Sequence, residues 1–333
     1  MDFILLELLL ICIGILLIIF FTIYFLWPSV LLKFGIWYGR QRTGLQVRYA
    51  EHNGYRFSYV SCGKPGLQPS ILMLHGLTLN KDMWLITLLF FPKNIHVVAV
   101  DMPGHGDTTC LPGDSYTASD QLKRLHQFVE CIGLNRKPFH LVGISMGGLF
   151  AGLYAANYPS EVCGLSLLCP VGIRCPKETE VMKRLKELCT NRVTENIPFI
   201  PLNTQQGEEM LRSGTYNQIK LPKQVIKGVL DMRAPNNDFF LKYFFDMFSD
   251  ESLYGLHDNM SKIKAPTQII WGGNDQILDS SGAAILAAGI PHSQVHILEK
   301  CGHAIVLDLP KFSAQLLLDF HESFSCVKNK KLA

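Results

Sequence analysis

One serine stands between two glycines in "GISMG" (residues 143–147), after the apolar run "FHLV" and before the small, apolar "GLFAGLYAANYP". A strand that ends in G-x-S-x-G and runs straight into a helix drives the serine into a sharp, strained turn, so that its hydroxyl projects above the sheet. Side chains at Gly143 and Gly147 would collide with neighbouring backbone, which is why both are glycine. Ser145 is therefore the candidate nucleophile. A serine hydroxyl is a poor nucleophile near neutral pH, and it needs a histidine to take its proton and a carboxylate to orient that histidine.

The chain order expected after such an elbow is serine, acid, histidine. In "TQIIWGGNDQILD", Asp275 stands just past a strand pattern, whereas Asp279 reads as a helix N-cap or turn residue. Of eleven histidines, His303 in "LEKCGHAIVLDLP" follows a strand, sits in a turn beside Gly302 and precedes a helix. His296 alternates within a strand and His321 falls in the last helix, so both read as structural or surface residues. Asp275 and His303 complete the candidate triad. An oxyanion needs two preorganised N–H donors. Met146, after the serine, supplies one, and Leu77, after the His75-Gly76 pair of "HGLTLNKDMW", supplies the other. His75 reads as a prop for that loop. The turn "DMPGHGDT" (101–108) reads as a rigid element that shapes the floor or wall of the site.

The elements that position these residues follow from pattern. Past residue 50, short β-branched or apolar runs alternate with helical patterns, as in βαβ units around a mainly parallel sheet. Strand candidates are "FSYVSCG", "SILMLHG", "IHVVAVDMPG", "FHLVGIS", "VCGLSLLCP", "TQIIWGG" and "QVHILEKCG". Between residues 119 and 134, Leu122, Leu125, Phe128, Val129 and Ile132 share one helical face. From 172 to 264 the pattern is helical without a convincing strand, which reads as an insertion over the sheet. Within it "FFLKYFFDMF" (239–248) is apolar nearly all round and fits either a packed core or a hydrophobic channel or membrane-touching surface.

Residues 8–27, "LLLICIGILLIIFFTIYFLW", are uncharged over the length needed to cross a bilayer core. Asp2 and Glu7 before the run and Trp27-Pro28 after it do not suit a cleaved signal peptide, so the segment reads as a retained anchor. Lys33, Arg40, Arg42 and Arg48 follow it, which by the positive-inside rule places the rest of the chain in the cytosol. Tyr24, Trp27, Trp37 and Tyr38 fit an interfacial belt or packing against the body. The ten cysteines are scattered, with no CxxC, and read as buried small hydrophobes in a reducing compartment. Net charge is +3 with both signs interspersed, which argues against a nucleic-acid partner. There is no HExxH, GxxxxGK[ST] or well-placed GxGxxG, and neither metal nor organic cofactor is expected.

In their order, "LHGLT", "DMPGHGDT", "GISMGG", "WGGNDQILD" and "CGHAIVLDLP" resemble the α/β-hydrolase fold superfamily over about residues 57–324. "PSILMLHG", "KDMW", "RLHQFVECIGLNRKPFHLVG" and "PTQIIWG", with the anchor, are most similar to the membrane-bound monoacylglycerol lipases within it. The resemblance implies an α/β-hydrolase core with a helical cap, divided as anchor 1–30, core 31–171, cap 172–264 and core 265–333. It implies a serine hydrolase acting on monoacylglycerols, including 2-arachidonoylglycerol, and on some lysophospholipids, at intracellular membranes such as late endosome or lysosome. The family's nucleophile, acid, histidine and oxyanion donors fall on Ser145, Asp275, His303, Leu77 and Met146. One departure is that "DQILD" lacks the proline that often follows the acid. Alternatives are a broader carboxylesterase, a carbon–carbon bond hydrolase with the same triad, or a non-catalytic membrane-protein scaffold.

Overall fold

The structure, a computed structural model, describes residues 2–111 and 113–330. Eight strands form one sheet: β1 (Gln46–His52), β2 (Tyr55–Cys62), β3 (Ile71–Leu74), β4 (Val97–Val100), β5 (Phe139–Ile144), β6 (Val162–Leu168), β7 (Thr267–Gly272) and β8 (Ser293–Leu298). Their spatial order is β1-β2-β4-β3-β5-β6-β7-β8. Strand β2 runs against both its neighbours, and every other pairing is parallel. The strands read from the sequence are present, but β1 escaped that reading. It is an edge strand in which no residue is buried, so "QVRYAEH" carries no apolar face to betray it.

Two helices, α1 (Asp2–Leu26) and α2 (Pro28–Thr43), precede the sheet. After β3 comes α3 (Leu85–Leu88), after β4 α4 (Ala118–Cys131), and after β5 α5 (Met146–Asn157). Between β6 and β7 lie α6 (Glu180–Thr190), α7 (Thr204–Gly214), α8 (Lys223–Arg233), α9 (Asn237–Met247), α10 (Asp250–Leu253) and α11 (Gly255–Asn259). The chain then forms α12 (Gly282–Gly289), α13 (Ile305–Asp308) and α14 (Pro310–Lys330). The Thr117 hydroxyl caps α4 by accepting from Asp120 N–H, and Leu125, Phe128 and Val129 are buried. Phe128 packs against Phe57 and Tyr59.

Strands β3, β4 and β5 are buried throughout, as expected where helices cover both faces of a parallel sheet. Chain order reverses at β3, which has β4 on one side and β5 on the other. Crevices at such a reversal, beyond the carboxyl ends of the strands, are where α/β sheets bind ligands. The loop after β3 and the turn after β5 meet there.

In the aromatic stripe, Phe240, Tyr243, Phe244 and Met247 are buried, so most of it is core. Phe248 alone of the stripe lines the cavity described below. The cysteine reading needs correction. Among the described residues Cys169 and Cys301 are buried, while Cys12, Cys110 and Cys131 are exposed. Cys12 faces outward from α1, and the other two lie in the loop before α4 and at its last turn, places that scatter in the sequence does not distinguish from core. Helix α1 is long and apolar enough over Phe3–Leu26 to cross a membrane, and none of its most apolar stretch is buried against the body.

Candidate active site

Ser145 is the residue between β5 and α5, with φ 55° and ψ −118°, a conformation that non-glycine residues rarely adopt. The flanking glycines permit it. A Cβ on Gly143 would lie 2.2 Å from the carbonyl oxygen of Gly147, and one on Gly147 would lie 2.4 Å from that of Leu74. The turn is held from the sheet side, because Ser145 N–H donates to the Leu168 carbonyl at 2.9 Å.

Asp275 follows β7 in a turn that makes full use of its carboxylate. Oδ1 accepts from Ile277 N–H at 2.8 Å and Leu278 N–H at 2.9 Å, while Oδ2 faces His303 Nδ1 across 2.8 Å. The Asp275 side chain is fully buried. Burial alone would depress the His303 pKa, but the Asp275 carboxylate, aided by Cys169, outweighs it and holds the imidazole well above its usual range. Ser145 and His303 line the same cavity. No hydrogen bond joins their side chains among the described residues, and such contacts often tighten only with substrate present. Asp279 accepts from Ser281 N–H at 3.0 Å as a turn residue.

Met146 begins α5, so its N–H has no acceptor within the helix. Leu77 lies in the loop after β3, and both residues border the cavity beside Ser145. His75 is buried under that loop. Its Nδ1 lies 2.8 Å from the Gly76 carbonyl and its Nε2 accepts from Met102 N–H at 3.0 Å, a propping role. His105 stacks behind it, 4.9 Å from His75 and 4.8 Å from Tyr243 between ring centres. The turn 101–108 contributes nothing to the cavity lining, contrary to the expectation of a floor or wall. It is a layer deeper, packed on the aromatic stripe.

Several positioning residues were not read from the sequence. Buried Lys81 donates from its backbone N–H and its ammonium to Asp101, at 2.7 and 2.6 Å, tying the loop after β3 to the end of β4. The carbonyl of Phe199 accepts from the Thr78 hydroxyl at 2.8 Å and from Arg233 Nη2 at 2.8 Å. Thr78 is next to Leu77, so one oxygen links the loop after β3 to α8. Burial, with no carboxylate to oppose it, pushes the Arg233 pKa down to about 10. One ligand atom each from Cys169, Asp275 and His303 lie within 4.8 Å of one another. The Asp275 oxygens are already engaged with His303 Nδ1 and with the N–H groups of Ile277 and Leu278.

The cavity measures about 400 Å³ and is lined almost wholly by apolar side chains, among them Met182, Leu211, Ile226 and Phe248. That is within the range of small-molecule sites.

Residues 69–310 match the family model of the alpha/beta hydrolase fold. The chain belongs to the α/β-hydrolase family. This α/β-hydrolase is 50% identical over 313 residues to the monoacylglycerol lipase ABHD6 of Mus musculus, an alignment covering 94% of this chain and 93% of that protein. It is 49% identical over 312 residues to the Homo sapiens protein of the same name, with the same coverage. Among solved structures, a bacterial membrane phospholipase A described as a virulence factor superposes with a TM-score of 0.82 at 26% identity, covering 96% of this chain and 99% of that one. With a serine at its elbow, this α/β-hydrolase is a serine hydrolase.

Proposed function

We propose that the protein is a membrane-anchored ester hydrolase that cleaves monoacylglycerols, 2-arachidonoylglycerol among them, and single-chain phospholipids to fatty acid and the matching alcohol. The observation that carries this reading is the elbow serine opening, beside the Asp275–His303 pair, into an apolar cavity of about 400 Å³. Such a cavity accepts an acyl chain and offers little to a polar substrate. The names of the mouse and human relatives support the same substrate class.

In this mechanism Ser145 Oγ attacks the ester carbonyl while His303 takes its proton, and Asp275 holds the imidazole with its own proton on Nδ1. The N–H groups of Leu77 and Met146 receive the developing oxyanion. His303 then protonates the departing glycerol oxygen. Water, deprotonated by His303, releases the fatty acid from the acyl-serine. We assign residues 172–264 as a cap that closes the acyl cavity over the core segments 31–171 and 265–333, and residues 1–30 as the anchor, with the body on the cytosolic side.

The test is fatty acid release from a monoacylglycerol, a lysophospholipid and a water-soluble short ester by membranes carrying wild-type protein or Ser145→Ala. Serine-dependent preference for the monoacylglycerol supports the reading. Turnover of the soluble ester alone makes the protein a general esterase, and no serine-dependent turnover of any substrate removes the hydrolase assignment for these esters.

A further inference from the structure

Helix α1 ends at Leu26, and after the single residue Trp27 the chain starts α2 with Pro28 at its first position. Trp27 leaves the helical region at φ −132° and ψ 59°, so the path bends there, as X-Pro junctions do. Helix α2 then runs over the body rather than away from it. It packs along α8, where a Cβ on Gly228 would lie 3.0 Å from the Pro28 carbonyl oxygen, so glycine lets the two helices approach. It also packs on α3 through Gly39 and Leu85. Arg40 clamps it further, with two nitrogens on the two carboxylate oxygens of Asp82, the Nε contact being 2.7 Å. Asp82 is itself a wall residue of the cavity.

The other side of α2 faces outward. Val30, Phe34, Trp37 and Tyr38, spaced as one helical face, are each half exposed or more. Exposed Lys33 and Arg42 are on the same helix. Beside them Leu89 and Phe90, at the end of α3, expose further apolar surface. Four residues, Leu79, Ile86, Leu221 and Val229, line the cavity and are also more than a third exposed, which makes them its rim. Ile86 is on α3 and Val229 on α8, the two helices that flank α2. The apolar face and the rim are therefore one surface, continuous with the helix proposed to enter the bilayer.

We propose that α2, α3 and the cavity rim form a membrane-docking face that lies in the headgroup–acyl boundary of the bilayer entered by α1, so that the cavity mouth opens onto lipid. Aromatic residues with basic neighbours on a helix are suited to that boundary. The occupant is the bilayer surface itself. A single-residue link to α1 leaves this face within reach of the membrane and gives a separate protein partner little room. An acyl chain then passes from bilayer to Ser145 along an apolar wall without entering water. The inference rests on the anchored-hydrolase reading and adds the surface by which the substrate arrives.

The test uses full-length protein in phospholipid vesicles. Phe34→Gln combined with Trp37→Gln alters side chains that touch each other and solvent, away from the cavity wall. The expected result is a fall of about fivefold or more in hydrolysis of a long-chain monoacylglycerol presented in vesicles, with the kcat/KM for a short water-soluble ester unchanged. Equal retention of both activities overturns the proposal, and so does equal loss of both. A second measurement is independent of catalysis. In Trp27→Phe protein, Trp84 and Trp271 are buried in the body, so Trp37 reports the interface. Its emission is quenched by brominated phospholipids if the face is docked, and the quenched component vanishes in Trp27→Phe/Trp37→Phe. Unquenched Trp37 overturns the proposal. Absence of Ser145-dependent turnover of both the monoacylglycerol and the soluble ester in wild type refutes the hydrolase reading instead and leaves the quenching result standing.

Discussion

Replacing Asp275 by asparagine changes one charge and leaves the shape of the site almost intact. The two backbone donors on Oδ1, from Ile277 and Leu278, decide which end of the new amide is oxygen. Turned the other way, the NH2 group would face both N–H groups and leave each without an acceptor, at about 1–3 kcal/mol apiece. The amide nitrogen therefore faces His303 Nδ1, which becomes an acceptor, and the imidazole proton moves to Nε2, where Ser145 needs a free lone pair. Recovering the working tautomer costs about 2–6 kcal/mol on that basis. At about 1.4 kcal/mol per tenfold change, turnover falls roughly 30- to 20,000-fold while the protein stays folded. The assays are ester hydrolysis by purified full-length protein and the rate of fluorophosphonate labelling of Ser145. Asp279→Asn, which disturbs only a turn contact to Ser281, serves as the companion. A loss smaller than tenfold in Asp275→Asn, or an equal loss in Asp279→Asn, refutes the assignment of Asp275.

Other predictions follow from neighbouring geometry. Because Asp275 holds the His303 pKa well above the ordinary 6.5 and catalysis needs the neutral ring, the acid limb of kcat/KM should fall above pH 6.5; a limb at or below that value contradicts the pairing. Thr78→Val keeps the side-chain shape but removes the donor to Phe199, so kcat should drop about three- to tenfold with KM unchanged, and an unchanged kcat removes Thr78 from the positioning of Leu77. His140 of β5 and His321 of α14 stack 5.5 Å apart, with pKa values lowered by burial, His321 to about 4. Their folded values lie below the unfolded 6.5, so the stability they contribute is present above that pH and is lost as pH falls toward 4. His321→Phe should accordingly show a smaller drop in Tm between pH 7.5 and 5 than wild type, measured by thermal denaturation in detergent.

What the sequence made legible was local. The elbow is written in five consecutive residues, because two backbone collisions and one strained turn dictate glycine, serine and glycine at fixed spacing. Buried β3, β4 and β5 announce themselves as apolar runs, whereas β1, in which no residue is fully buried, does not. The contacts that hold the loop after β3 were illegible for a different reason. Lys81 meets Asp101 across 20 positions, Arg233 meets Phe199 across 34 and Thr78 meets Phe199 across 121. Nothing in the local pattern pairs them, and Phe199 takes part through its backbone carbonyl, which every residue possesses.

The single residue between α1 and α2 has a kinetic consequence. A catalytic body on a long flexible tether would tumble and find substrate by three-dimensional diffusion. Here the packing of α2 against α8 and α3, with the Arg40–Asp82 clamp, holds the body to the helix that directly follows the proposed anchor. On the proposed anchored reading, encounter is a search in two dimensions, in which enzyme and lipid diffuse laterally in one plane. Its rate is set by the mole fraction of substrate in the membrane, so dilution of the vesicles in buffer should leave turnover per enzyme constant.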